Sequence, residues 1–375
     1  MAPLPLREIQ MNRAALVATV LLLSACGSGG PTGSATSPAA SPIATPVASP
    51  TPTALCTASN RCLALVTLRG SSHFVVRDVT DISRATTVAD LGAISVPQFA
   101  GATQVSYVDG SDLLVVPLTG SPRTRVASSP GLVNFPFAWS RDGAAAYLSQ
   151  TETALTVHQV AGGKDTVIAN SVPVIPGVGC ESQFCPGTDS WDLTLAYSPY
   201  GNAISFVDHV ASVSTFRIWS PSGQVLDASD SDGRFMAVWS GNGLYFRDDK
   251  TGVLVWRSGS VSTFMPSSQW IHPKASPAGG QIVYATKDRQ GWHHVFVVDI
   301  AARHVQEIKK ARSGPEYLTS RYLWYRGERA CAASDGCPPG WSVVDSGKTY
   351  IYDLQTGVEY SSIITGVYDV WPRGA

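Results

Sequence analysis

Short apolar runs broken by polar turns fill this chain from residue 60 onward, and one arrangement of them recurs. Phe137-Ala138-Trp139 leads into Ser140, Gly143 stands three residues later, and a second apolar run follows from Ala144 to Leu148. The same S-x-x-G step lies at Ser198–Gly201 after Leu195-Ala196-Tyr197, at Ser240–Gly243 after Ala237-Val238-Trp239, and at Ser276–Gly279 after Lys274-Ala275. Each reads as strand, tight turn, strand. A self-similar unit at this interval is the signature of a repeat architecture.

A second series of hairpins complements the first. Outer hairpins are expected at 74–91, 113–127, 156–169, 216–228, 245–257, 295–308 and 349–364. Several turn at a glycine with a polar neighbour, as at Thr119-Gly120, Gly162-Gly163, Ser222-Gly223, Thr251-Gly252 and Thr356-Gly357, because glycine reaches positive φ without strain. Inner hairpins precede most of them, one degenerate at 97–108 and one interrupted at 322–344. A unit of about 46 residues matches a four-stranded propeller blade. The sequence therefore predicts an all-β, seven-bladed β-propeller, in preference to six or eight blades. The first unit lacks an inner strand, and the last hairpin is followed by Gly366-Val367-Tyr368-Asp369-Val370-Trp371. This tail is expected to supply the missing strand and to close the ring, removing an open sheet edge.

No sustained helical period appears after residue 55. The start of the chain has another character. Asn12-Arg13 precedes an apolar run, Ala14 to Leu23, which ends in Leu23-Ser24-Ala25-Cys26. That run is short for a membrane span and fits a cleaved signal. It resembles the bacterial lipobox, which implies diacylation of Cys26 as the first mature residue. Translation can start at Met1 or Met11, since Met1 to Gln10 adds nothing that a signal needs. Gly, Ser, Thr, Pro and Ala then dominate as far as residue 54, leaving no apolar surface to offset ordering entropy. The expected domains are a signal peptide at 1–25, an extended tether at 26–55 and the propeller at 56–375.

Composition narrows the function. Charged residues are 15% and the net charge is −1, which excludes the basic footprint of a nucleic-acid binder. Of seven cysteines, six form near neighbours: Cys56 with Cys62, Cys180 with Cys185, Cys331 with Cys337. Local disulfides imply an oxidising compartment. There is no C-x-x-C and no flanking histidine, so no metal or other cofactor is expected.

The S-x-x-G hairpin, with an aromatic residue before it and a β-run after it, resembles the PD40 type of WD40-like repeat found in the TolB translocation protein and many exported bacterial proteins. The resemblance covers roughly residues 60 to 371 and implies a propeller fold without implying an activity. The chain departs from TolB in showing no α/β domain ahead of the propeller.

Strand parity places the candidate site. In a four-stranded meander, turns between strands one and two, and between three and four, share one face. The S-x-x-G and glycine turns all read as belonging to that group. The two long insertions, 170–192 and 326–341, fall on the other face, and each holds a cysteine pair. Long ordered loops on a rigid scaffold are where binding concentrates. The candidate binding residues there are Trp191, Trp341 and Tyr322 as aromatic anchors, Arg326 and Arg329 for an acidic group, and Asp189 and Asp192 for a cation. Trp139, Tyr197 and Trp239 recur with the repeat and read as core.

No G-x-S-x-G motif is present, so the hydrolase elbow is absent. His293 and His294 are adjacent in an expected strand and point to opposite sides. The expected function is a lipid-anchored, non-catalytic binding or scaffold module on the extracytoplasmic face of the cell membrane. Its expected partners are the membrane, through Cys26, and an envelope protein, peptide or glycan. The alternative is an exported polysaccharide lyase or hydrolase using His209 and His293 in the propeller channel.

Overall fold

Alternating and continuous runs of Val, Ile, Leu and aromatic residues fold into strands, and backbone hydrogen bonds sort those strands into seven antiparallel sheets of four. The computed structural model describes residues 56–57, 61–95, 97–129, 135–150, 154–173, 195–199, 203–210, 213–220, 223–230, 236–248, 250–267, 269–337 and 342–373. Among these there is no α-helix. Two single-turn 3-10 helices, Ile82–Arg84 and Ala333–Asp335, are the only helical pieces.

Six blades are sequential. Blade two is β4 (Gln98–Gly101), β5 (Gln104–Asp109), β6 (Asp112–Pro117) and β7 (Thr124–Ser128). Blade three is β8 (Phe137–Trp139), β9 (Ala145–Gln150), β10 (Ala154–Ala161) and β11 (Lys164–Pro173). Blade four is β12 (Leu195–Tyr197), β13 (Ile204–Val210), β14 (Val213–Ser220) and β15 (Gly223–Asp230). Blade five is β16 (Val238–Ser240), β17 (Gly243–Asp248), β18 (Gly252–Arg257) and β19 (Ser260–Met265). Blade six is β20 (Ile271–Ala275), β21 (Gln281–Lys287), β22 (His293–Asp299) and β23 (Val305–Lys310). Blade seven is β24 (Arg312–Tyr317), β25 (Tyr322–Ala330), β26 (Val343–Asp353) and β27 (Glu359–Ser362).

Blade one joins the two ends of the fold. The tail strand β28 (Ile364–Trp371) pairs antiparallel with β1 (Leu63–Leu68), which continues into β2 (Phe74–Asp78) and β3 (Thr86–Gly92). The seven blades form a ring, closed as the unpaired first unit requires.

The core lies between blades, because a sheet cannot bury both its faces alone. In β1, Leu63 and Leu65 pack with Phe99, Val105 and Tyr107 of blade two. Ala64 and Val66 pack with Leu318, Trp324 and Ile351 of blade seven. Successive side chains serve opposite interfaces, so the strand reads as a continuous apolar run. Tryptophans pin neighbouring blades together. Trp139 Nε1 donates to Ser106 Oγ of blade two at 2.7 Å, and Trp239 Nε1 donates to Ser205 Oγ of blade four at 2.9 Å. Trp139, Tyr197 and Trp239 are buried, as their recurrence implied.

The motif serine caps its own turn. Ser140 Oγ accepts from the Ala144 amide at 2.9 Å, and Ser276 Oγ accepts from the Gln281 amide at 3.2 Å. Ser240 departs from this and donates to the Gly279 carbonyl of the next blade at 2.7 Å. Blade seven holds a turn of the same kind that has no serine-to-glycine spacing. Thr319 Oγ1 accepts from the Arg321 and Tyr322 amides, each at 3.1 Å.

Two hairpin assignments need correction. The expected outer hairpin at 245–257 is strands two and three of blade five, β17 and β18. The outer hairpin is β18 and β19, and it turns at Ser258-Gly259. Asp248 explains the difference. Its Oδ1 accepts from the Lys250 and Thr251 amides at 3.0 and 2.9 Å, so strands two and three are joined by a turn as tight as those of the outer hairpins. Likewise, the inner hairpin of blade seven is β24 with β25, and the 322–344 segment joins strands two and three.

Candidate functional site

Of the two long insertions, the second lies within the described residues as far as Cys337 and again from Ser342. It leaves β25, passes through Cys331–Cys337, which are bonded with Cα atoms 6.6 Å apart, and returns to β26. Arg329 grips Asp335 with both terminal nitrogens, at 2.5 and 2.8 Å. The Arg329 guanidinium, helped by the Ala332 amide, holds the Asp335 carboxyl well below the usual carboxylate range, at about 2. The loop base is tied to blade six. Glu328 accepts from the His293 amide at 2.9 Å and sits 2.5 Å from that ring's Nδ1, while Ser342 Oγ donates to the Gln290 carbonyl. The loop is thus stapled, internally ion-paired and docked on the neighbouring blade.

The expected site residues divide accordingly. Cys26, Cys180, Cys185, Asp189, Trp191, Asp192 and Trp341 lie outside the described residues. Cys56 and Cys62 are bonded, with Cα atoms 5.2 Å apart. Tyr322 is misplaced in the sequence reading. It opens β25 beside the Thr319 turn, pairs with Asp353, and stands at the opposite end of the strand from Cys331. The guanidinium of Arg321 lies 5.0 Å over its ring. Arg326 is mid-strand, paired with Ser313 and Thr349, with its guanidinium 5.8 Å from the Trp324 ring. Arg329 stands near the end of β25, paired with Val344 beside the insertion, and Asp335 already occupies it.

The two histidines of the alternative reading stand on separate blades. His209 is on β13 of blade four and His293 on β22 of blade six, with blade five between them. His293 is engaged by Glu328, and His294 lies between Glu307 at 2.8 Å and Asp288 at 3.2 Å. Among the described residues one His/Cys/Asp/Glu cluster has metal-like spacing: Cys331, Asp335 and Cys337. Its two sulfurs are bonded to each other and its carboxylate holds Arg329, so no free thiolate remains for a metal.

Sequence reasoning missed a second place. First strands of three blades enclose a cavity of about 180 Å³ at the axis, lined by Lys274, Glu316, Tyr317, Tyr368, Asp369 and Arg373 among others. Lys274 Nζ lies 2.9 Å from Glu316 Oε1, and Arg373 lies 2.5 Å from Asp369. Burial works against the Lys274 charge, but Glu316 and Asp369 outweigh it and raise its pKa above the ordinary value. The Lys274 and Glu316 side chains stay 38% and 23% exposed, so the cavity is open to solvent rather than a dry core. Arg373 also donates to the carbonyls of Trp139 and Phe99 at 2.9 and 2.8 Å, tying the tail to blades two and three. His272, the second residue of the Lys274 strand, has a left-handed φ of 49°. Burial, with the charges of Lys274, His293 and Arg326, lowers its pKa to about 3. Part of the signal was present, since Lys274 and Asp369 are charged residues in expected inner strands, but Glu316 lies on β24, which the expected inner hairpin at 322–344 left out.

No protein-family model matches the chain, and no curated protein matches it in sequence. Solved structures do resemble it. The tricorn protease is similar with a TM-score of 0.50 and 12% identity, over 81% of this chain and 34% of that one, so the likeness spans about a third of the protease. TolB from Acinetobacter baumannii is similar with a TM-score of 0.42 and 14% identity, over 82% of this chain and 81% of that one. An oligogalacturonate lyase in complex with manganese gives 0.49 and 8%, over 81% and 84%. At such identities the likeness concerns the fold alone. The class that fold and closure define is the seven-bladed β-propeller with a tail-strand latch.

Proposed function

We propose that this protein is a lipid-anchored, extracytoplasmic propeller that binds an envelope protein, peptide or glycan through its long-loop face without chemistry. The observation that carries the reading is the locked Cys331–Cys337 insertion, with Arg329 on Asp335 and Glu328 on His293. A loop held in place before binding loses little entropy on binding. The sequence adds Trp191 and Trp341 on the same face as aromatic anchors, and Cys26 as the lipid attachment, where two acyl chains give stable anchoring.

One membrane experiment tests both halves. The intact protein is expected in the membrane fraction, and Cys26→Ala is expected to move it to the soluble fraction. A partner co-purified from solubilised membranes is expected to be lost from Trp191→Ala and Trp341→Ala. Membrane retention of Cys26→Ala removes the anchor from the reading, and undiminished partner recovery by both tryptophan variants removes the face.

A second reading, an exported polysaccharide lyase or hydrolase, draws support from the axial cavity. Ionisable groups with shifted pKa values gathered in a cleft are a mark of catalytic sites, and Lys274 and Glu316, both raised, are such groups. Turnover of acidic glycans that is abolished by Glu316→Gln favours this reading, and no turnover across a glycan panel discards it.

A further inference from the structure

We infer that the axial cavity between blades six, seven and one is a seat for a single neutral sugar ring. This stands apart from the long-loop reading and uses different residues.

Charge comes first. The cavity lining carries two cations, Lys274 and Arg373, and two carboxylates, Glu316 and Asp369. They are matched pairwise at 2.9 and 2.5 Å. An ion entering the cavity gains no net field there and still loses its hydration. A ring of hydroxyls suits the lining better. Asp369 and Arg373 are already taken up by each other and by backbone groups of Phe99, Trp139 and Val370, so the ring's hydroxyls meet Glu316 and Lys274, donating to the carboxylate and accepting from the ammonium in charge-assisted bonds, which are the strong ones.

Apolar surface completes the seat. Tyr368 is 42% exposed, its ring braced edge-on by Phe74 at 4.8 Å, and Val367 and Val370 flank it on the same strand. Sugar rings present C–H faces that pack on aromatic surface, while their rims hydrogen-bond. Size sets the limit. A cavity of about 180 Å³ equals about six waters at ~30 Å³ each. It falls below the ~300 Å³ at which drug-sized pockets begin. One ring fits, so a longer glycan would enter by its terminal unit.

The test titrates the intact, disulfide-bonded protein with glucose, galactose, mannose and N-acetylglucosamine, and with glucuronate and galacturonate as charged counterparts. Saturation-transfer NMR detects binding and calorimetry measures it. At least one neutral sugar is expected to saturate the site, with the uronates at least tenfold weaker. Glu316→Gln and Tyr368→Ala are each expected to weaken that sugar tenfold or more. Absence of saturation by every neutral sugar overturns the inference. So does a uronate that binds as tightly as the best neutral sugar, or an unchanged affinity in Tyr368→Ala. Should Glu316→Gln fail to fold, Tyr368→Ala carries the test alone, because that side chain is largely outside the packed core.

Discussion

His272 shows how one residue makes the whole fold sensitive to acid. Its pKa falls from 6.5 to about 3 because burial, then the nearby charges of Lys274, His293 and Arg326, penalise the imidazolium. Below pH 6.5 the unfolded chain takes up a proton that the folded chain refuses, so stability falls as pH drops from about 6.5 towards 3. One pH unit in that window costs at most about 1.4 kcal/mol. Asparagine tolerates the left-handed φ at this position and does not titrate. Urea unfolding at pH 7 and pH 5 is expected to show the wild type losing up to about 2 kcal/mol more than His272→Asn. Parallel losses in the two proteins contradict the assignment.

Much at this scale was legible in the sequence. Trp139, Tyr197 and Trp239 recur at one repeat position, and a residue repeated with the packing period belongs to the packing. Other residues were not legible. Thr319 does the work of the motif serine with no glycine after it, so no spacing announced it. Tyr322 was assigned to the wrong end of β25 because that turn went unseen. Lys274 and Glu316 sit 42 residues apart in sequence, and only the packing of blade seven on blade six brings them to 2.9 Å.

Among elements, glycine turns decided which strands pair. Thr251-Gly252 resembles the glycine turns of outer hairpins, yet it joins strands two and three of blade five. Gly252 is there for close approach as well as conformation. Its φ is +100°, and a Cβ would meet the Met265 carbonyl oxygen at 2.3 Å and Pro266 C at 2.7 Å. Both contacts are backbone, so nothing nearby yields cheaply. Gly252→Ala is therefore expected to destabilise by more than about 1 kcal/mol, from strain at positive φ and overpacking. Gly259→Ala, where φ is +86° and no atom lies within 4 Å, meets the first penalty only. Denaturant midpoints compare the two, and equal losses would show that the close approach is immaterial. The stapled insertion belongs to this scale as well. Cysteine spacing made its pair legible, while Arg329's attachment to Asp335 was not, since sequence alone leaves an arginine's partner open.

At the scale of the molecule, the blades depend on one another. Each interface buries side chains from two sheets, and β1 serves two interfaces at once. The expectation of seven blades and a completing tail followed from counting strands, because an unpaired first unit and a surplus last strand fit only one another. What the count could not supply was the tail's second role. Beyond β28, Arg373 bonds Asp369 and the carbonyls of Phe99 and Trp139, so the end of the chain spans the inner strands of three blades.

Deletion of residues 365–375 measures this dependence directly. It strips the inner strand from blade one, exposes the β1 edge and removes the Arg373 tie. Size-exclusion chromatography and urea unfolding of the truncated chain are expected to show aggregation, or loss of the single cooperative transition of the full chain. A truncated chain that stays monomeric and unfolds in one transition at the full-length midpoint would contradict a ring held shut by its own tail.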